Sequence, residues 1–266
     1  MKTRIFIIAV LAVSFSLFSC KSNEKKSNED TEKISRADSS RESLDWEGTY
    51  TGTLPCADCS GIFTIIDLKR DGHYTISTKY LGKSENYIDE NGKFSWNDAG
   101  NIITFDNKSD DAGMSKFQVG ENKLTMLDIS GNRITGELAD NYILKKVNKD
   151  LVEKYWKLEE LGKEKIDFKG ESNREPHIIF KIAENRIIGS GGCNNIFSTY
   201  EVKENNKISI LRSASTLMMC PGTDMDIERK FMAIFENVDS YHIEGDNMVL
   251  YNSNNEPVAK FKAVYM

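Results

Sequence analysis

Histidine is nearly missing from this chain of 266 residues: His73, His177 and His242 are the three present, and none sits in a nucleophile or metal-ligand motif. That removes the commonest general base from most catalytic readings. A phosphate-cradling glycine loop ahead of a helix is missing too. Gly189-Ser190-Gly191-Gly192 leads into a strand-like stretch, where close backbone packing accounts for the glycines better than phosphate does. Positive charge is in short supply, with 35 basic against 41 acidic residues, so the chain lacks the electrostatic footprint of a nucleic-acid partner. The acidic side chains are scattered among turns, as solvated surfaces require. Past residue 20 no segment is apolar enough to span a bilayer, and convincing helical periodicity is confined to one late stretch. These absences exclude most enzyme classes, and a non-enzyme is expected.

What is there begins with an address. Lys2 and Arg4 precede an apolar run at 5–18, broken only by Ser14 and Ser16. It is shorter than the ~20 residues a membrane-spanning helix needs and fits the apolar centre of an export signal. Leu17-Phe18-Ser19-Cys20 follows and resembles the lipobox of bacterial lipoprotein signals. That resemblance implies cleavage of residues 1–19 and lipidation of Cys20, with the membrane as the first partner. Each buried CH₂ contributes ~0.8 kcal/mol, and two or more acyl chains anchor stably. Lys21 stands where an Asp would retain such a protein at the inner membrane, so the same resemblance implies the outer membrane, on either its periplasmic or its surface face.

Losing Lys2 and Arg4 leaves 33 basic and 41 acidic residues, a net charge of −8. Residues 20–45 hold only Ile34 and Leu44 as sizeable apolar groups, too few to offset the entropy of ordering, and a disordered tether is expected. Two modules follow, 46–148 and 151–266, divided at the polar run 145–154.

The first module reads as strands at 46–54, 62–68, 74–81, 92–96, 102–105, 116–119, 124–127, 134–138 and 142–147. Asp71-Gly72, Glu90-Asn91-Gly92, Gly120-Glu121-Asn122 and Ser130-Gly131-Asn132 supply turn chemistry between them. Eight or nine short antiparallel strands at this spacing predict a closed or nearly closed barrel. Cys56 and Cys59 lie in the first loop, with Asp58 between them. Three states are open to them: a Cu(I) site, a dithiol–disulfide couple, or a permanent clip whose short loop is worth only ~2 kcal/mol. A structural zinc site lacks its other two ligands nearby. Asp58 disfavours thiolates and favours a bound cation.

The stretch from Gly48 through Leu54-Pro55-Cys56-Ala57-Asp58-Cys59-Ser60-Gly61-Ile62, with Asp71-Gly72 and Leu124-Thr125-Met126-Leu127-Asp128, resembles the N-terminal domain of the copper-resistance lipoprotein NlpE family. The resemblance implies a lipocalin-like antiparallel β-barrel, a link to copper tolerance and surface adhesion, and an envelope stress-sensing protein as partner. A barrel of that kind also admits a second reading, a binder of a small apolar ligand.

The second module opens on Tyr155-Trp156-Lys157-Leu158, continues with strands at 178–182, 187–189, 199–202 and 208–211, and closes with three more near 241–244, 248–251 and 259–264. A helix is predicted over 223–238, with Ile227, Phe231, Ile234, Phe235 and Val238 on one face, Thr223 as cap and acids in the first turn. Met218-Met219 reads as core filling rather than a copper box. With Cys20 lipidated, four cysteines remain in an oxidising compartment, and Cys193–Cys220 is expected to be a structural disulfide, with a buried thiol pair as the alternative. Gly191-Gly192-Cys193-Asn194, Thr216-Leu217-Met218-Met219-Cys220 and the acidic helix start resemble the META domain family, which implies a compact α+β fold and no agreed activity. A META domain where NlpE-type proteins carry a different second module puts the transfer of the signalling role in question.

Overall fold

A computed structural model describes residues 39–106, 114–166, 174–220 and 224–265. The expected signal at 1–19, Cys20, and the predicted helix cap Thr223 lie outside the described residues.

The first eight strands are β1 (Gly48–Leu54), β2 (Ile62–Leu68), β3 (His73–Tyr80), β4 (Ile88–Trp96), β5 (Ile102–Phe105), β6 (Lys116–Gly120), β7 (Lys123–Met126) and β8 (Ile143–Lys146). They pair antiparallel in sequence order, and β8 returns to β1 through Tyr50–Lys146 and Thr51–Lys145, closing the barrel. Alternation decides what fills it. Tyr50, Ile66, Tyr74, Phe105, Phe117 and Leu144 all point inward and are fully buried. Tyr74 stacks on Phe105 with centroids 3.8 Å apart, and Phe117 lies 5.3 Å beyond. The axis of the barrel is occupied by its own rings.

One end is plugged by residues the sequence assigns to the tether. Ser40–Ser43 form one helical turn, α1, whose Ser40 Oγ donates to the Val119 carbonyl at 2.8 Å, while the Arg41 N–H donates to Gly100 O at 2.9 Å. Residues 39–45, assigned by the sequence to the tether, are therefore held against the barrel, because these polar groups find partners on its rim. Trp46 follows, edge-on to Phe94 and Trp96, and its indole N–H donates to the Arg41 carbonyl at 3.0 Å. The second module repeats the device: the Trp156 indole donates to the carbonyl five residues upstream, Leu151 O, at 2.8 Å.

That second sheet is built from β9 (Tyr155–Leu161), β10 (Glu164–Lys165), β11 (His177–Lys181), β12 (Arg186–Ser190), β13 (Asn195–Val202), β14 (Ile208–Ser215), β15 (Val238–Glu244), β16 (Asn247–Asn252) and β17 (Pro257–Val264). Its order is β14-β13-β12-β11-β9-β17-β16-β15, with β10 on β9. The two ends approach through a single bridge, Lys207–Ser240, leaving a half-barrel. Helix α2 (Asp224–Phe235) packs against its core: Phe231 and Phe235 are fully buried, and Phe231 meets Phe261 at 5.9 Å. Each such ring removed from water is worth roughly 1.5–3 kcal/mol. The helix is shorter than expected, since Val238 begins β15 and buries its side chain as part of a strand.

Two other expectations fail. Glu90-Asn91-Gly92 is no turn but the middle of β4, paired with Ile76, Thr75 and Tyr74. The stretch 134–138 is not a strand; beside it only Arg133 bridges Leu127, and Leu138 is exposed.

The barrel and the half-barrel pack on each other. Lys79, almost fully buried, donates to Glu184 at 2.8 Å and Glu85 at 3.0 Å. Lys145 donates to Glu201 at 2.9 Å and to the Val202 carbonyl at 3.3 Å. The partners lie 105 and 56 residues apart, so no local pattern announces them.

Candidate functional site

Cys56 and Cys59 sit in the loop between β1 and β2, and the chain pins that loop from both sides. The Ser60 N–H donates to Leu81 O at 3.2 Å and the Leu81 N–H to Gly61 O at 2.9 Å, tying it to the turn after β3. Gly61 adopts φ +146, and a Cβ there would meet Thr53 Cγ2 at 2.4 Å, so only glycine lets the two strands start this close. Held at its base, the loop presents Asp58 to solvent, flanked by half-buried cysteines. The two sulfurs are bonded to each other.

Among the described residues, Cys56, Asp58 and Cys59 form a group whose potential ligand atoms lie within 4.8 Å of one another. As a disulfide the sulfurs do not fit a metal, because neither is a thiolate. Asp58 is also not the free carboxylate that a cation would need. Lys83, from the turn after β3, donates to Asp58 Oδ2, and that bond and charge hold the Asp58 carboxyl below the usual carboxylate range. The ion pair cancels much of the negative charge that would otherwise favour a cation. Lys83 would instead favour thiolates when the pair is reduced. Nothing in the sequence pairs Lys83 with Asp58; the β1–β2–β3 register does.

Cys193 and Cys220 are also bonded, across a separation of 27 residues, with Cys193 fully buried. Around them lies a polar network that composition did not single out. Asn194, 2 % exposed, donates through its backbone N–H to Glu228 Oε2 at 2.6 Å and through Nδ2 to Glu228 Oε1 at 3.0 Å and Met218 O at 3.1 Å. Its Oδ1 accepts from Thr216 Oγ1 and from the Met218 N–H, both at 2.7 Å. Gly191 makes the approach feasible, because a Cβ there would meet Glu228 Cγ at 2.4 Å. The sequence signal for this network is Gly191-Gly192-Cys193-Asn194, in which glycine spacing shows close packing but nothing local marks Asn194 as its hub.

The same network displays what it does not bury. Met218 is pinned by its backbone, yet Met219 is 91 % and Leu217 97 % exposed. The expectation that Met218-Met219 fills the core is therefore wrong: the disulfide and Asn194 hold the backbone down and turn these side chains outward.

If the Cys193–Cys220 bridge is structural, replacing both residues by alanine lowers stability by about 2–4 kcal/mol. Urea unfolding of the oxidised double variant against the oxidised parent measures this, and a difference below about 0.5 kcal/mol would remove the structural role.

The histidines stay apart. His73 is exposed, its Nδ1 3.1 Å from Asp71. His177 stacks on Tyr155 at 4.1 Å with Nδ1 2.8 Å from Glu175 O, and burial lowers its pKa. His242 lies exposed on β15. They are not brought together with each other or with the cysteines.

Residues 50–137 match the family model described as the NlpE N-terminal domain, and residues 149–265 match that of the META domain. Lipoprotein NlpE of Escherichia coli K12 is 32 % identical over 104 residues, which is 39 % of this chain and 42 % of that protein. The chain thus spans less than half the length of this curated relative. Among solved structures, a protein from Shewanella oneidensis is 49 % identical over 41 % of this chain and 95 % of its own, with a TM-score of 0.37. The Cpx pathway activator NlpE from E. coli is 16 % identical, over 64 % of this chain and 95 % of its own, with a TM-score of 0.28. Two consecutive parts of the chain are thus similar to two different families, residues 50–137 to the NlpE N-terminal domain and residues 149–265 to the META domain.

Proposed function

We propose that this is a non-enzymatic envelope lipoprotein, anchored in the outer membrane through Cys20, that senses envelope stress through the Cys56–Cys59 loop of its barrel. The observation that carries the reading is the loop itself: two sulfurs and a carboxylate gathered at an accessible tip, on a barrel of NlpE type. The E. coli NlpE is described as a Cpx pathway activator, and activation of such a stress response is the role proposed here. A dithiol reductant would deliver two electrons and two protons to the disulfide, becoming a disulfide itself and leaving Cys56 and Cys59 as thiols. Deprotonated, these offer two soft ligands beside Asp58, a set suited to about one Cu(I). At rest the loop is oxidised and metal-free; reduction arms it. The second reading, an apolar ligand inside the barrel, is disfavoured by Tyr50, Tyr74, Phe105 and Phe117 on the barrel axis.

One experiment tests both halves of the reading. The chain is produced in E. coli K12 lacking its own NlpE, with radioactive palmitate and a Cpx-responsive reporter. Parent protein is expected to take up label and raise the reporter, and Cys20→Ala to do neither. Unlabelled parent protein would remove the anchor; labelled, membrane-bound but silent protein would remove the signalling role.

A further inference from the structure

The outer face of β3 carries a side chain that belongs in water and is not there. Lys79 alternates with the inward-facing Ile76 and so points away from the barrel core, yet it is only 7 % exposed. What covers it is the turn between β11 and β12 of the second module, where Glu184 accepts from its ammonium at 2.8 Å. Glu184 does so from a left-handed backbone, φ 54°, which a glutamate keeps only where its surroundings fix it. On the barrel side the same ammonium donates to Glu85 at 3.0 Å and lies 5.9 Å from the ring centre of Tyr87.

Glu85 and Tyr87 belong to the loop 81–87 that follows β3, and the front of that loop holds the cysteine site. Leu81 is hydrogen-bonded through its backbone to Ser60 and Gly61, and Lys83 pairs with Asp58. The Lys83 and Ser84 N–H groups both donate to Tyr80 O, at 3.1 and 3.0 Å, which makes the loop a closed turn and not a slack linker. A single short loop is thus tied at its front to Cys56–Cys59 and at its back to Lys79 and Glu184. Coupling between two sites needs an element with two states and packed contacts that carry the difference. The cysteine pair, bridged or reduced, is the first, and the loop supplies the second.

The sign follows from restraint. A bridge needs its two sulfurs held together, so a grip on the base of their loop favours the oxidised form. Breaking the bridge in turn frees Ser60 and Gly61, and with them the loop they pair with. Bridge and junction therefore support each other, and by linkage each strengthens the other by the same factor. We propose that the loop 81–87 transmits the state of the Cys56–Cys59 pair to the second module through Lys79 and Glu184, the junction loosening when the pair is reduced. This rests on the reading of that pair as a sensor and names the element that receives its signal. The Lys145–Glu201 pair, on β8, lies off this path and keeps the modules joined.

Equilibration of the purified full chain with glutathione, free thiols being trapped by alkylation and read peptide by peptide, tests the coupling in parent protein and in Glu184→Gln. That substitution keeps the size of the side chain and removes its charge. The equilibrium constant for reducing Cys56–Cys59 should rise about fivefold in the variant, the lower end of ordinary coupling, while Cys193–Cys220 in the same sample does not move. In the other direction, backbone amides of 182–186 should exchange with deuterium about fivefold faster in Cys56→Ser/Cys59→Ser than in oxidised parent, those of β16 being unchanged. An unmoved Cys56–Cys59 equilibrium, an equal shift of both bridges, or unchanged exchange at 182–186 would each overturn the proposal. The reporter strain tests the sensor reading separately: parent protein that shows the coupling and leaves the reporter silent would end the sensing role and support the coupling.

Discussion

Replacing Asn194 by alanine is expected to destabilise the second module by about 3–5 kcal/mol, the range for breaking a buried network around a charge. The side chain is the hub through which β12, the Met218 segment and helix α2 are joined. Without it the Met218 N–H and carbonyl lose their partner, and Glu228, 8 % exposed, keeps only the backbone N–H of residue 194. Water is poorly placed to replace the amide, since Gly191 and Cys193 pack against the same space. Asn194→Asp should be at least as damaging, because it sets a second carboxylate against Glu228. Chemical unfolding followed by the fluorescence of Trp156, which lies in the affected core, measures the effect, with Trp46 and Trp96 reporting the barrel. A loss below about 1 kcal/mol would mean that the network is solvated and contributes little.

The same residue illustrates what sequence could and could not deliver. Barrel strands were legible where turn chemistry and alternation agreed, as at Asp71-Gly72, where Gly72 takes φ +85, and at Glu121-Asn122, where Asn122 takes φ 54. They were misread where local preference was outvoted. Asn91-Gly92 has the composition of a turn, but pairing with Thr75 and Tyr74 holds it in a strand whose residues 89–93 include no apolar side chain on either face, so there is no hydropathy alternation to read. Helix α2 was legible from its apolar face; its end was not, because Val238 suits a strand as well as a helix and only the pairing with Asn252 decides. The cysteines declared themselves by type and spacing. Their partners Lys83, Asn194 and Glu228 did not, because a 25-residue gap from Asp58 to Lys83 or a 34-residue gap from Asn194 to Glu228 is closed by the fold and leaves no periodic trace. The domain junction, built on Lys79, Glu184 and Asn185, was invisible for the same reason.

The central claim is that Cys56 and Cys59 form a two-state site, closed as a disulfide and competent for copper when reduced. The loop is accessible while Cys193 is buried, so mild dithiol treatment should open the first bridge before the second. Neutralisation of Asp58 by Lys83 means that the sulfurs, and not the carboxylate, must supply most of the affinity. Titration with Cu(I) against a competing chelator tests this directly on three samples: oxidised parent, mildly reduced parent, and reduced Cys56→Ser/Cys59→Ser. The account predicts about one Cu(I) bound by the reduced parent and none by the other two. Equal binding by the double variant would place the copper elsewhere and contradict the account, as would a reduced parent that leaves all the copper with the chelator.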